Sequence, residues 1–269
     1  MPSIIRVTKN DLPALLPQRT EIAHKQDGGK CLIIAGSTGL WGATFLCGLA
    51  AYRVGAGYVY LPEATKGLNL YPDFVSVKIS AHLKPDPFSA IAIGPGLILT
   101  PELKKVFQRL EKKFKNPVIV DAGALALVKH LPDNWIITPH EGEMAKLLKT
   151  SVAAIRSDRF KTVRLAQKTF GGIVILKGHH TLIANDKNTY EIQTGNKALA
   201  KAGSGDVLTG MIAGFLSQGL KPINAAVLAC GLHGYIADRW IKDQDYVSIM
   251  ASDLINLLPR AIFALRKKI

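Results

Sequence analysis

No apolar run in this chain approaches the roughly 20 residues needed to span a bilayer, because charges or glycines interrupt every hydrophobic stretch. The start, Met1-Pro2-Ser3-Ile4-Ile5-Arg6, lacks the basic beginning and apolar centre of a signal peptide. A cytoplasmic protein with no membrane partner is expected. Cysteine is scarce: Cys31, Cys47 and Cys230 lie in apolar segments and form no Cys-x-x-Cys pair, which argues against a disulfide framework and a zinc site and predicts buried, reduced thiols. Aromatic residues make up only 7% of the chain and are not interleaved with the basic clusters Lys104-Lys105, Lys112-Lys113-Lys115 and Arg266-Lys267-Lys268. The net charge of +14 therefore does not by itself indicate a nucleic-acid partner, although it would attract a phosphate-rich substrate. Linkers, low-complexity tracts and solenoid repeats are also missing, so 1–269 reads as one domain.

Several catalytic signatures are absent as well. Gly29-Lys30-Cys31 has neither the upstream glycine nor the following hydroxyl of a P-loop. Leu208 stands where a dinucleotide fingerprint starting at Gly203 needs its third glycine. His140-Glu141-Gly142-Glu143 has no second histidine at zinc-hydrolase spacing, and Ala202 and Asp206 replace the glycines that would flank a nucleophilic Ser204.

What is present is a succession of short apolar runs, each ending at Gly, Asp or Thr-Pro: 31–35, 58–61, 90–93, 118–121, 135–138 and 173–176. A helix is expected over about 43–54. Another follows Thr100-Pro101-Glu102, with Leu103, Val106, Phe107 and Leu110 at helical spacing and the neighbouring lysines on its polar face. Residues 181–184 and 189–192 flank a turn and read as an antiparallel hairpin, and helices near 206–218, 224–242 and 251–265 fill the last third. The fold class is α/β, a three-layer αβα sandwich with a mainly parallel central sheet and antiparallel edge strands. Ligands bind such sheets beyond the carboxyl ends of the strands, where most of the Gly-rich punctuation falls.

The run Lys201-Ala202-Gly203-Ser204-Gly205-Asp206-Val207-Leu208-Thr209-Gly210 combines tight-turn glycines, a helix start suited to phosphate and one carboxylate. A carboxylate beside a phosphate is repelled unless a metal bridges them or the acid has a proton to remove, which suggests phosphoryl chemistry. An Asp ahead of an apolar run is equally an ordinary helix cap, and the run alone leaves both open. Glu141 and Glu143 could hold hydrated magnesium or merely satisfy a helix dipole. Lys177 and Thr181 could meet the same phosphate or be an ordinary strand-end lysine and hairpin threonine. The adjacent His179-His180 pair is tempting as a metal site but makes a poor one, since neighbouring strand residues point to opposite faces. Asp238 and Arg239 read as a solvated helix face.

Taken together, six ordered pieces resemble the ribokinase-like superfamily, and within it the ADP/ATP-dependent NAD(P)H-hydrate dehydratases. They are His24-Lys25 with Gly36-Ser37 and Gly42-Ala43; Gly94-Pro95-Gly96-Leu97; Thr138-Pro139-His140-Glu141-Gly142-Glu143; Leu176-Lys177-Gly178; Gly195-Asn196; and the 201–210 run. The resemblance implies repair of the S-epimer of NADH or NADPH hydrate. A phosphoryl group from ADP or ATP, with Mg2+, passes to the ring hydroxyl at C6, and phosphate then leaves. It implies Asp206 as catalytic base, Ala43, Gly96, His140 and Asp206 around the hydrate, and Lys177, Gly178, His179, His180, Thr181, Gly203 and Gly205 around the nucleotide. It further implies a homo-oligomer, often a tetramer, and an epimerase on a separate chain, with no fused epimerase domain. A kinase of a small alcohol or vitamin precursor is the alternative, and a basic non-catalytic nucleic-acid-binding protein the third reading. The sequence departs from the family pattern at Lys201, Ala202 and Ser204, at Gly123 in Asp121-Ala122-Gly123-Ala124-Leu125, and at Ile98.

Overall fold

The computed structural model describes residues 3–22 and 24–267; Lys268 of the last basic cluster and the Met1-Pro2 start lie outside them. In chain order the elements are β1 (Ile4–Val7), β2 (Lys30–Ile34), α1 (Trp41–Arg53), β3 (Tyr58–Pro62), β4 (Val75–Val77), β5 (Ala90–Ile93), α2 (Pro101–Lys113), β6 (Val118–Val120), β7 (Leu131–Ile137), α3 (Glu141–Leu147), α4 (Val152–Ser157), α5 (Arg159–Phe170), β8 (Gly171–Leu176), β9 (Leu182–Ala184), β10 (Thr189–Ile192), α6 (Ser204–Ser217), α7 (Pro222–Trp240) and α8 (Ala251–Arg266). One ten-stranded sheet runs β1-β10-β9-β8-β7-β6-β5-β2-β3-β4. The antiparallel pairings lie toward one end of the sheet and involve one reversed strand, β9, between β8 and β10, so that the edge strands β1 and β4 themselves pair parallel. Beyond them β1 pairs parallel with β10, Ile4 opposite Thr189.

Two-residue alternation explains the three layers. Cys31 and Ile33 of β2 point into one core with Ala90 and Ala92 of β5, while Leu32 and Ile34 point into the other with Ile91 and Ile93. The first core is closed by α1, α6, α7 and α8, and the second by α2, α3, α4 and α5. Strands covered on both faces have no polar side, which is why they read as continuous apolar runs. All three cysteines are free and buried. In α2, Val106, Phe107 and Leu110 are buried while Lys104, Lys105, Lys112 and Lys113 are exposed, and Thr100 caps the helix by accepting from Leu103 N at 3.2 Å. No helix among the described residues is long and apolar enough to cross a membrane.

The helix that follows the glycine-rich run occupies a special place. Every residue of α6 from Val207 to Ser217 is buried, with larger side chains on either side of Gly210 and Gly214. A Cβ at Gly210 would stand 2.2 Å from the Cys47 carbonyl oxygen, and one at Gly214 would stand 2.6 Å from that of Ala51. The two glycines thus let α1 and α6 pack backbone against backbone, a contact reinforced by the Cys47 thiol donating to the Asp206 carbonyl at 3.0 Å. This contact sets where α6 begins. Gly210→Ala is expected to cost roughly 2–4 kcal/mol in urea unfolding, because the obstructing atoms are backbone. Gly42→Ala, where a Cβ meets nothing within 4 Å, is expected to stay within about 0.5 kcal/mol of the parent or gain slightly from helix propensity.

Candidate functional site

The loops after β2, β5, β6, β7 and β8 meet at the carboxyl edge of the sheet, laced by backbone hydrogen bonds. Gly36 N donates to Pro95 O at 2.8 Å, Asp121 N to Ile93 O at 3.0 Å, and Lys177 N to Pro139 O at 2.9 Å. Into this edge points the start of α6. Its cap is Gly203, in the left-handed region at φ 86°, and no side chain caps the helix. Asp206 is therefore not the cap but the third residue of the first turn. The amides of Gly205 and Asp206 donate to no group among the described residues, which leaves them open to an anion.

Lys177 lies directly beneath that turn: a Cβ at Gly205 would stand 3.5 Å from its Nζ. The ammonium is 3.0 Å from Asp121 Oδ1 and 3.8 Å from Glu143 Oε2. Burial pushes the Lys177 pKa down, but Asp121 and Glu143 more than offset this, so it ends above its ordinary value and the side chain stays charged. Asp121 is itself buried and accepts from Thr209 Oγ1 at 2.7 Å and from the Ala122 amide at 2.8 Å. Asp206 is pushed up to about 6, first by burial and then by the Asp121 charge, with Lys177 acting in the opposite sense. A carboxyl poised near neutrality at an anion-binding helix start can take a proton from a hydroxyl at physiological pH.

His140 caps α3. Its Nδ1 accepts from the amides of Gly142 at 3.0 Å and Glu143 at 3.3 Å, and Glu143 returns the bond to His140 N at 2.8 Å. With Nδ1 accepting, the neutral ring carries its proton on Nε2, on an exposed side chain. Ala43 lies in α1 against Gly96, where a Cβ would come within 2.9 Å of its own. The sheet edge thus brings Lys177 together with Gly203, Gly205 and Asp206, with Glu143 and the bridged pair His140 and Lys177 alongside.

Three readings change. His179 and His180 belong to a turn rather than a strand, and their rings stack with centroids 4.1 Å apart instead of facing opposite ways. Arg239 is exposed as read, but Asp238 is half-buried and engaged: its carboxylate accepts from the Gly195 amide and from Asn196 Nδ2, each at 2.9 Å, which ties the loop before the glycine-rich run to α7. Glu141 is occupied by Arg156 at 2.7 Å and Arg159 at 3.5 Å, so it has little remaining charge to offer a metal. No group of three or more His, Cys, Asp or Glu that could hold a metal occurs among the described residues. Magnesium that keeps most of its waters and rides on nucleotide phosphates is compatible with this donor set; an ion caged by protein alone is not.

The sequence reading placed Asp121 at a strand end without a role, and passed over Thr209, Arg159 and His233. His233 is buried 3.3 Å from Ser204 Oγ, and burial pulls it down to about 4, which keeps it neutral. Asp121 carries a faint signal, an acid at the carboxyl end of a buried strand. The others have none.

A doubly covered, mainly parallel sheet with a glycine-capped helix aimed at its carboxyl edge defines a ribokinase-like αβα protein whose helix start is open to an anion. A profile of the NAD(P)H-hydrate dehydratase family matches residues 31–260. The chain is 35% identical to the ADP-dependent (S)-NAD(P)H-hydrate dehydratase of Bacillus subtilis, covering 94% of this chain and 96% of that one. It is 36% identical to the bifunctional NAD(P)H-hydrate repair enzyme of Vibrio cholerae, over 94% of this chain and 53% of the relative. The chain thus spans about half the length of the bifunctional relatives it matches. It superimposes on a crystal structure of the Bacillus subtilis ADP/ATP-dependent dehydratase, co-crystallised with ATP and Mg2+, with a TM-score of 0.89 at 33% identity over 96% of this chain and 97% of that one. This chain belongs to the NAD(P)H-hydrate dehydratase family.

The raised Asp206 pKa has a consequence for stability. The folded state holds this proton more tightly than the unfolded chain, so the associated stability is complete below about pH 4 and is lost as pH rises through about 6. Asp206→Asn is therefore expected to stabilise the protein by roughly 1–3 kcal/mol in denaturant unfolding at pH 8, with the gain vanishing near pH 4. No gain at pH 8 would mean that the carboxylate is not held against its preference.

Proposed function

We propose that this chain restores NADH and NADPH from their hydrates, using ADP or ATP as phosphoryl donor. The observation that carries the reading is Asp206, a carboxyl that ionises near neutrality on the first turn of α6, beside free amides and the Lys177 ammonium. Asp206 takes the proton of the C6 hydroxyl as its oxygen attacks the terminal phosphorus and the shortened nucleotide leaves. The amides of Gly205 and Asp206, with Lys177, receive the charge on the migrating phosphoryl group. The ring nitrogen lone pair then expels phosphate from C6, and loss of a proton from C5 restores the double bond. Bound magnesium would neutralise phosphate charge and ease its repulsion from Asp206 and Asp121.

Ala43, Gly96 and the Nε2–H of His140 would hold the hydrate, while the 177–181 loop with Gly203 and Gly205 would hold the nucleotide. Lys177 then has two tasks. It answers the Asp121 charge, and it moves toward phosphate charge when a nucleotide arrives. The hydrate's ring hydroxyl must lie within hydrogen-bond reach of Asp206 for the transfer to begin.

Incubation with prepared NADH hydrate, Mg2+ and ADP or ATP is expected to restore the near-ultraviolet absorbance of reduced nicotinamide. Asp206→Asn should lower the rate by roughly 10²–10⁴-fold. Because the base must be ionised, activity should rise with pH through about 6. Asp121→Asn removes a charge that holds the Asp206 pKa up and should shift that limb to lower pH. A stable phosphate ester of the substrate, seen by mass spectrometry without recovery of absorbance, would instead establish a kinase of a small alcohol.

A further inference from the structure

Arg159 opens α5, a helix absent from the sequence reading. Its guanidinium lies against the loop after β8 and gathers four carbonyls. Nη1 donates to His179 O and, at 3.3 Å, to His180 O; Nη2 donates to Leu176 O at 3.2 Å and Lys177 O at 3.4 Å. The remaining donor, Nε, is buried without a hydrogen-bond acceptor and faces Glu141 Oε1 at 3.5 Å. Glu141 is the residue after His140.

Where the carbonyls go, the amides must oppose. There are no cis peptides among the described residues, and in a trans peptide the N–H points opposite to the C=O of the same unit. The amides of Gly178 and His180, which follow the captured carbonyls of Lys177 and His179, therefore point away from Arg159. Neither donates to any group among the described residues. Gly178, at φ 148°, takes a backbone form open to glycine, while His180, which has a side chain, is held in the left-handed region at φ 51°. A Cβ at Gly178 would stand 2.7 Å from Arg159 Nη2. Left-handed backbone at a residue with a Cβ is unfavourable, and hydrogen bonds to the guanidinium offset it.

We propose that Arg159 is a positioning residue for the phosphoryl donor. By drawing four carbonyls to one side it turns the amides of Gly178 and His180 into a cradle for nucleotide phosphate, and through Glu141 it ties that cradle to the helix start that carries His140. The proposal rests on the dehydratase reading for the reaction, while the positioning itself requires only that a nucleotide bind there. Lysine cannot replace the planar fork, since a single ammonium cannot reach all four oxygens in one plane.

The test compares wild type, Arg159→Lys and Arg159→Ala, with ADP affinity measured by calorimetry in the absence of hydrate and steady-state kinetics measured separately. In Arg159→Lys the dissociation constant and KM for ADP should rise about tenfold, corresponding to about 1.4 kcal/mol, while kcat and the hydrate KM change less than about threefold. Low-millimolar guanidinium, but not ammonium, should recover ADP affinity in Arg159→Ala; if that variant does not fold, Arg159→Lys decides alone. An unchanged ADP dissociation constant in folded Arg159→Lys overturns the proposal. So does an equal fall in all kinetic parameters together with the melting temperature, which would mark a structural prop. If wild type binds ADP but leaves the hydrate untouched, the dehydratase reading fails and the ADP dissociation constants still decide the role of Arg159.

Discussion

One ammonium group among three carboxylates organises the functional edge of this protein. Lys177 pairs with Asp121 at 3.0 Å, has Glu143 at 3.8 Å, and feels the charge of Asp206. Burial acts first and the Asp121 charge second, and the one ammonium offsets only part of this, so the least committed acid keeps its proton up to about pH 6. That acid is Asp206. Asp121 is already fixed by Thr209 and the Ala122 amide, and Glu143 by the cap of α3. The excess of negative charge also leaves the site suited to cationic company, which a magnesium nucleotide would bring.

The scaffold makes this arrangement possible by burying the sheet on both faces. Strands that end at one edge deliver Asp121 from β6, His140 from β7 and Lys177 from β8 to neighbouring positions, and the parallel bridge between His140 and Lys177 keeps two of them in register. The fourth component comes from far along the chain. Asp206 reaches the edge only because α6 packs backbone to backbone against α1 through Gly210 and Gly214. The stability lost by holding Asp206 ionised is supplied elsewhere, by the apolar length of the same helix.

Much of the layout was legible from residue patterns. The buried strands, the capped helix at Thr100, the antiparallel hairpin and the three C-terminal helices follow from apolar periodicity and turn chemistry, and the ordered glycine motifs pointed to the family. The elements missed have physical reasons. β1 and β4 have exposed residues and little pattern, and β1 becomes a strand by adding to β10 at the sheet edge. The six residues of α4 are too short a run for helical periodicity to show, α5 follows it with only Asp158 between, and the start of each depends on a cap, from Ser151 and Asp158.

The chain by itself determined the αβα layering, the free buried cysteines, and the presence of a carboxylate on a glycine-rich helix start, because each depends on periodicity or on residues adjacent in sequence. Tertiary structure alone decided that Asp121 lies against Lys177, that Asp238 anchors the 195–196 loop, that the two histidines stack, and that Arg159 gathers the carbonyls of a loop 17 to 21 residues away. Apart from the histidine stack, which depends on the turn whose carbonyls Arg159 holds, those are contacts between groups distant along the chain, and no local preference of a lysine, aspartate or arginine encodes which partner the packed layers will bring to it.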